Sequence, residues 1–223
     1  MTMSSRPRLT EHGLEPVPGL PEALPPGETL LWQGAPAWGE IAQRIFLLRW
    51  VMIYFIFLAA WEILGIALQG GSFAEAIGAA ATLSLVGGAA IGILVLLAKI
   101  MARGSVYTIT SRRLVMRVGV ALPITINIPF AVIAGAYLRQ RKDGFGDIVL
   151  DLLPTQRISW IALWPHCGGW SFGRPKPMLR GVANAAEVAG ILGNAVAQMA
   201  GGSVTLGKEK LDVPIATDAA AMA

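Results

Sequence analysis

Charged residues and cysteine are both scarce in this sequence. Only 14% of the 223 residues are charged, whereas 54% are hydrophobic, and the mean hydropathy is +0.58. The single cysteine, Cys167, excludes an intramolecular disulfide. The two histidines, His12 and His166, are too few to complete a zinc site with that cysteine. Walker loops and dinucleotide fingerprints are also missing. We therefore expect a protein that is not an enzyme and uses no cofactor or metal.

Charged side chains are entirely absent from one long run, residues 76–98. As a helix that rises about 1.5 Å per residue, this run is long enough to cross a hydrocarbon core of about 30 Å. A second apolar run precedes it, and a short polar connector, residues 69–75, separates the two. The pattern predicts a transmembrane helical hairpin over residues 45–100.

The first apolar run is compatible with two helical registers. The stretch from Trp50 to Trp61 is uncharged, and Glu62 follows it directly. Either the helix runs from about Ile45 to Leu68 with Glu62 inside the bilayer, or it stops near Trp61 and Glu62 meets the interface. A carboxylate inside the bilayer is costly, so in the first register it would need a polar contact with another helix.

Lysine and arginine are missing from the connector between the two predicted spans. They flank the hairpin instead, at Arg44, Arg49, Lys99 and Arg103. Because positively charged loops stay on the cytoplasmic side, this asymmetry predicts that both termini are cytoplasmic. We expect a multi-pass protein of the bacterial inner membrane.

Residues 1–44 lack the continuous apolar centre of a secretory signal and contain many prolines. We predict a Pro-rich cytoplasmic arm. Its segment 24–38 differs in character, because Leu30–Trp32 lies between a Pro-Gly and a Gly-Ala-Pro turn. This docking segment either anchors at headgroup depth, through Trp32 and Trp38, or packs on the cytoplasmic domain.

Small side chains recur every four residues along the second predicted span. The pattern predicts a stripe on one helix face, and its last two members form a GxxxG motif that lets another helix approach closely. The groove is filled either by the first span or by a partner helix, which could belong to a second copy in a homodimer. The predicted helix-packing interface consists of Ala76, Ala80, Ser84, Gly88, Gly92 and Glu62.

Beyond the hairpin, the apolar periodicity changes from helical to alternating. The β-branched stretch Val106–Thr110 and the later Leu114–Val118 predict a β-hairpin, and Ile124–Ile128 predicts another strand, which Pro129 ends. Together they indicate a small antiparallel sheet. Additional strands are predicted over residues 136–141, 147–152 and 158–164.

A helix follows the predicted strands. Asn184 and Glu187 have the spacing of a capping box, and apolar residues then recur at helical spacing until Gly201. Residues 104–200 are therefore predicted to form one cytoplasmic domain. The tail, residues 201–223, shows no clear period, and we expect it to be flexible.

The strand run Tyr107–Gly119, the later Ile128–Pro129, the turn-rich hairpin and the capped helix resemble a bacterial pleckstrin-homology (PH) domain. Residues 26–34, followed by two spans, are typical of the membrane-linked members of that group. The resemblance implies a transmembrane helical hairpin joined to a cytoplasmic, antiparallel PH-like barrel that a C-terminal helix closes. Together with Ile158–Trp160 and Trp164–His166, this layout is similar to a family of reaction-centre assembly proteins of purple bacteria.

The resemblance covers about residues 24–198 and implies a role in photosynthesis. The implied function is non-enzymatic assembly of the reaction centre and its light-harvesting 1 antenna in the intracytoplasmic membrane, with their subunits as partners. The alternative is a membrane-anchored PH-like module that binds anionic lipid headgroups. A net charge of +4 and a pI near 9.6 suit an anionic leaflet. The sequence has no run of interleaved basic and aromatic residues, so we expect no nucleic-acid binding.

Two further groups of residues are candidate contact surfaces. Basic residues after the hairpin either recognise anionic lipids or a partner, or are ordinary solvated positions: Arg103, Arg112, Arg113, Arg117, Arg139, Arg141 and Lys142. An aromatic contact surface for a protein or a pigment is predicted at a loop rim: Trp164, His166 and Trp170.

Overall fold

The computed structural model describes residue 20 and residues 24–119, 123–141, 143–155, 158–168 and 175–200. Half of the predicted arm and all of the predicted tail lie outside these residues. Contacts divide the chain into two compact units, residues 1–128 and residues 129–223. Among the described residues, the first unit contains three helices and four strands, and the second contains four strands, two α-helices and a 3-10 turn.

Three helices lie in the first unit: α1 at Trp38–Arg44, α2 at Leu48–Leu68 and α3 at Phe73–Arg103. Both α2 and α3 are long and apolar enough to cross a membrane, as predicted for the hairpin. The 31 residues of α3 extend for about 46 Å at about 1.5 Å per residue, which exceeds the thickness of a hydrocarbon core.

The longer of the two predicted registers for the first span is the one observed. Helix α2 continues without interruption through Glu62 to Leu68, so the alternative that stops near Trp61 is wrong. The start also differs from the expected Ile45. Leu47 adopts a left-handed conformation with φ 50°, which breaks the helical path and makes α1 a separate helix.

Helix α1, which the sequence does not predict, packs against the hairpin. Ile41 and Ala42 are buried with Leu48 at the start of α2 and with Ala98 and Met101 near the end of α3. This cluster joins the start of α2 to the end of α3, at the end of the hairpin opposite the connector.

The first sheet contains the predicted strands and one that precedes the hairpin. Strands β1 (Leu30–Gly34), β2 (Val106–Thr110), β3 (Arg113–Val118) and β4 (Ile124–Pro129) lie in that order across it. β1 pairs antiparallel with β2, and β2 pairs antiparallel with β3. Of the two alternatives for the docking segment, the structure therefore shows pairing with a sheet.

The second sheet has the order β5-β6-β8-β7 and is antiparallel. A single 3-10 turn, Phe130–Val132, precedes it, and helix α5, Ala185–Ala200, lies against β5, β6 and β8 with Val188 and Leu192 buried. The strands are β5 at Ile133–Gln140, β6 at Gly146–Leu152, β7 at Cys167–Gly168 and β8 at Lys176–Val182.

The strand predicted over residues 158–164 is wrong. Backbone amides of Leu163 and Trp164 donate to carbonyls four residues earlier, which closes a short helix, α4, at Trp160–Leu163. The ladder position beside β6 is occupied by β8 instead. The sequence does not predict β8 because Pro177, inside the strand, interrupts the expected alternation.

The capping box predicted for α5 also differs from expectation. Asn184 has a φ of 50°, which is left-handed and not the extended backbone of a capping residue. A capping box occurs instead at α3, where Ser72 and Glu75 each accept a hydrogen bond from the other's backbone amide. Its Ser-x-x-Glu spacing was present in the polar connector.

Candidate functional site

Helices α2 and α3 pack tightly against each other at a glycine. A Cβ atom on Gly87 would lie only 2.9 Å from Cγ of Phe55, so this position admits the ring because it has no side chain. Around this contact the apolar side chains of α2 remain exposed, including the rings of Trp50, Phe57 and Trp61. The hairpin thus has a narrow internal seam and a broad apolar outer surface.

A cavity of about 560 Å³ opens beside this seam. Small side chains from both helices leave the space, namely those of Ala59 and Ala60 on α2 and of Ser84 and Gly88 on α3. The remaining lining is aliphatic or aromatic. Such a groove fits apolar side chains of another helix, because close packing against small residues is what holds helices together in lipid.

The structure separates the members of the predicted small-residue stripe. Ala76 and Ala80 are half-buried, whereas Ser84, Gly88 and Gly92 are exposed. A Cβ atom on either glycine would meet no atom within 4 Å. Four residues advance an α-helix by about 40° beyond a full turn, so a strict four-residue stripe winds around the helix. α2 therefore covers its beginning and leaves the GxxxG glycines open.

Glu62 lies within α2, six residues before the helix ends at Leu68. Its side chain is exposed, and none of the residues in the described ranges makes an ion pair with it. At about 1.5 Å per residue the carboxylate lies about 9 Å from the helix end. The predicted contact between Glu62 and another helix remains a prediction.

One basic residue of the predicted contact surface has a structural role inside the first unit. Arg113 donates to Glu28 through Nε at 2.8 Å and Nη2 at 3.0 Å, and the Glu28 side chain is only 3% exposed. Burial opposes ionisation of Glu28, but hydrogen bonds from Arg113 and Thr110 and the charges of Arg113 and Arg112 outweigh it. The pKa of this carboxyl is therefore lowered.

This ion pair fixes β1 against the sheet and corrects the assignment of Arg113 to an open surface. Local sequence patterns do not indicate this ion pair, because 85 residues separate the two partners. Thr29 strengthens the attachment, since its backbone amide donates to the Ser111 hydroxyl and its carbonyl accepts from the Ser111 amide. Nε and Nη2 of Arg113 are thus engaged within the first unit.

The other basic residues of the first unit are differently placed. Arg103 and Arg112 are exposed, whereas Arg117 is half-buried on β3. Near the end of α3, Lys99 lies 5.2 Å above the ring of Trp38, an exposed residue at the start of α1. A cation over tryptophan at this end of the hairpin suits the interface of a membrane.

In the second unit, acidic residues neutralise part of the predicted basic surface. Arg141 lies 3.6 Å from Asp143 and 3.9 Å from Asp147, which is buried and accepts a hydrogen bond from the amide of Gly181. Arg139, on β5, is half-buried. The remaining predicted member, Lys142, lies outside the described residues.

The predicted aromatic contact surface is only partly accessible. Trp164 is exposed, but His166 is 1% exposed, so its assignment to a loop rim is wrong. Burial and then the charge of Arg180 lower the pKa of His166 to about 3. Burial also raises the pKa of the Cys167 thiol, which disfavours a thiolate beside it. Trp170 lies outside the described residues.

Among the residues with described positions, no group of three or more His, Cys, Asp or Glu is arranged to hold a metal ion. Neutral His166 and protonated Cys167 are consistent with the burial of both side chains at the start of β7. Neither observation tests whether the protein has catalytic activity.

Comparison with known proteins identifies the family. Residues 45–196 match the bacterial PH domain family. The chain is 38% identical over 186 residues to a Rhodobacter capsulatus protein described as an uncharacterized 23.7 kDa protein in the puhA 5′ region, covering 83% of this chain and 87% of that one. No solved structure matches significantly. With two long apolar helices, antiparallel sheets and a C-terminal helix, the chain belongs to the bacterial PH domain family.

Proposed function

We propose that this protein is a non-enzymatic assembly factor of the PuhB type, which helps to build the photosynthetic reaction centre and its light-harvesting 1 antenna. The observation that carries the proposal is the similarity, over most of both chains, to the Rhodobacter capsulatus protein of the puhA 5′ region. The name of that region shares its stem with PuhB, whose layout the sequence resembles. The apolar hairpin supplies a surface suited to membrane subunits.

In the proposed mechanism, transmembrane helices of the assembling subunits pack on the open side of α3. Gly88 and Gly92 allow a close backbone approach there, because they have no side chain. No described atom lies within 4 Å of where a Cβ would stand, so the space beside them is open. The cavity beside Ser84 accepts a protruding apolar side chain of the incoming helix. No chemical step is required, and the contact can be released once the complex is complete.

The proposed location is the intracytoplasmic photosynthetic membrane, with both termini in the cytoplasm. Support comes from the cations at one end of the hairpin: Arg44 and Arg49 near the start of α2, and Lys99 and Arg103 near the end of α3. Labelling of single cysteines in intact cells and in inverted vesicles tests this orientation. A residue in the connector should react from the periplasmic side only.

Copurification is the decisive experiment for the function. The tagged full chain is isolated in mild detergent from photosynthetically grown membranes, and its partners are identified by mass spectrometry. We expect reaction-centre and light-harvesting 1 polypeptides, in larger amounts while complexes are being assembled than at steady state. Recovery of the chain without any such polypeptide would contradict the proposal.

A matched pair of variants locates the contact. Gly88→Leu together with Gly92→Leu fills the open glycine face, and we expect it to reduce copurification and complex assembly strongly. Ala89→Leu places one leucine at an exposed position rotated by about 100° on the same helix, and it is the matched control for Gly88→Leu alone. This control should assemble normally. Equal behaviour of the two variants would remove the glycine face from the mechanism.

A second candidate function is recognition of anionic lipid headgroups, which the exposed Arg103 and Arg112 favour. Each cation close to a charged leaflet contributes about 1 kcal/mol. Lipid analysis of the purified protein tests this function. Replacing both arginines with alanine should reduce retained anionic lipid and leave zwitterionic lipid unchanged, whereas the assembly function alone predicts no change in either.

A further inference from the structure

The segment between β6 and β8, residues 153–175, has an unusual composition. It contains no Asp or Glu, and it carries three of the seven tryptophans in the chain together with Arg157 and Arg174. Mixed aromatic and basic composition without acidic residues is typical of segments that lie in a membrane interface. We call it the β6–β8 segment.

Its described part holds apolar side chains out from the second unit. On helix α4, Ile161 is 82% exposed, and Trp164, directly after the helix, is 47% exposed. The neighbouring Leu163 is fully buried and attaches the helix to the interior of the second unit. The two exposed side chains therefore project from a fixed turn of the protein.

Hydrogen bonds secure the far side of this turn. Strand β7 pairs with β8, and Nη2 of Arg180 donates to the Cys167 carbonyl at 3.2 Å. The backbone amide of Met178 also donates to the His166 carbonyl. With the base fixed in this way, Ile161 on the helix and Trp164 directly after it present two exposed apolar side chains three positions apart.

We propose that helix α4 and Trp164 form a second membrane contact, in which Ile161 and Trp164 enter the headgroup region of an anionic leaflet. This contact goes beyond the proposed assembly function, which neither requires nor assigns it. Isoleucine gains from leaving water, and tryptophan prefers the interface because its ring is apolar and its indole N–H is polar. The sequence of the β6–β8 segment has no Asp or Glu that would repel anionic headgroups.

A lipid surface fits the observations better than another protein does. The chain carries two helices able to span a membrane, so a bilayer is always close to the segment at high effective concentration. The exposed side chains protrude, and a flat, soft surface can accept them without a shaped pocket.

Spin labelling of the full chain tests the proposal. In a Cys167→Ala background, a nitroxide is attached at Ile161→Cys, and the protein is placed in nanodiscs of phosphatidylcholine with phosphatidylglycerol. We expect the label to collide with oxygen, which concentrates in lipid, several-fold more often than with a water-soluble nickel chelate. A label at Asn194→Cys, an exposed position on α5, is the control and should favour the nickel chelate.

Two outcomes would overturn the proposal. One is a label at position 161 that is as accessible to water as the label at position 194. The other is shielding from both reagents that increases with protein concentration, which would indicate contact with a second copy. In nanodiscs of phosphatidylcholine alone the oxygen preference should fall, and an unchanged preference would contradict the role of the anionic headgroups.

A second measurement keeps the native Cys167, which is buried and whose replacement could disturb folding. Tryptophan fluorescence is compared between the unmodified chain and Trp164→Phe in nanodiscs with lipids brominated near the headgroup. The difference between the two emission spectra is the contribution of Trp164, and we expect the brominated lipids to quench it. If that component is not quenched, Trp164 lies away from the lipid and the proposal fails.

Discussion

The hairpin and the strand-forming regions use apolar side chains in opposite ways. In the sheets, Tyr107, Ile109 and Leu114 of the first unit and Ile148 and Leu150 of the second are fully buried. Along α2, by contrast, no residue of its most apolar window is buried. The sheets therefore form their own core, whereas the hairpin requires lipid or other helices around it. Among the described residues, the hairpin thus presents a broad exposed apolar surface suited to helix packing.

The forces that hold the two regions together differ as well. The first sheet combines a hydrogen-bonded ladder with a buried ion pair, and its buried polar side chains have partners. The hairpin depends on close packing at one glycine and on the α1 cluster at its ends. Substitutions that distinguish charge pairing from steric fit should thus affect one region and spare the other.

The largest effect is expected from Glu28→Ala. Removing one partner of a buried pair leaves Arg113 without its counter-charge, which costs about 3 kcal/mol; this is the low end of the usual range because 27% of the Arg113 side chain reaches solvent. The opening free energy of the β1–β2 ladder should fall by that amount. Amide hydrogen exchange of the full chain in nanodiscs measures it.

Arg112→Ala is the matched control for this prediction. Arg112 is the exposed neighbour of Arg113, and exposed pairs contribute between about 0 and 1 kcal/mol. Exchange in α2 and α3 should remain unchanged in both variants. Similar protection of β1 in Glu28→Ala and the unmodified chain would show that the ladder alone holds the strand, and that the two regions differ less than the structure indicates.

The next effect concerns the seam of the hairpin. Gly87→Ala places a Cβ 2.9 Å from the Phe55 ring, and overpacking of this kind costs about 1 to 3 kcal/mol. Gly88→Ala meets no atom within 4 Å and gains helix propensity, so it should be neutral or stabilising by up to about 1 kcal/mol. Unfolding by SDS in mixed micelles measures both variants.

The opposite signs expected for adjacent glycines make this pair informative. Exchange protection in the sheets provides the internal control, because neither glycine belongs to a strand. If Gly88→Ala destabilises the isolated chain as much as Gly87→Ala does, then Gly88 is part of the internal seam. The open face proposed for partner helices would then not exist.

A smaller effect is expected at the turn of the hairpin. Ser72→Ala removes the hydroxyl that accepts from the Glu75 amide at 3.3 Å, and loss of such a cap costs about 1 kcal/mol. Exchange in the first turn of α3 should accelerate while the rest of the hairpin is unaffected. Ser84→Ala, in the middle of α3, is the control. If it accelerates exchange in the first turn as much as Ser72→Ala does, Ser72 has no capping role.

Local patterns in the sequence predict most of the fold. Alternating apolar and polar residues predict β2, β3 and β4, and long uncharged runs predict the hairpin. Both signals depend only on residues that are neighbours in the sequence. The pairing of Glu28 with Arg113 joins distant segments, which a single sequence does not reveal. Helix α4 is a second example. Residues 158–164 have good strand propensity, but β8 pairs with β6 in their place, and only tertiary contacts decide between the two segments.

The candidate site was predicted less well for a geometric reason. Gly88 and Gly92 were identified correctly as small residues, but the seam passes through Gly87, which follows the 3.6-residue period and not the four-residue spacing. His166 was assigned to a surface because its neighbours are loop-forming residues. Its burial depends on pairing between β7 and β8, and no local pattern indicates that pairing.

The smallest effect near neutral pH is expected from titration of Glu28. Its pKa is lowered in the folded chain, so the ion pair contributes its full stability above the unfolded pKa of about 4.3 and loses it as pH falls through the folded value. Protection of β1 should therefore be constant between about pH 7 and 5.5 and decline in stronger acid. In Glu28→Gln this decline should be absent, so the difference between the two chains narrows as pH falls. If the two chains show no difference in protection even near neutral pH, Glu28 contributes little, and the first sheet, like the hairpin, is held mainly by packing.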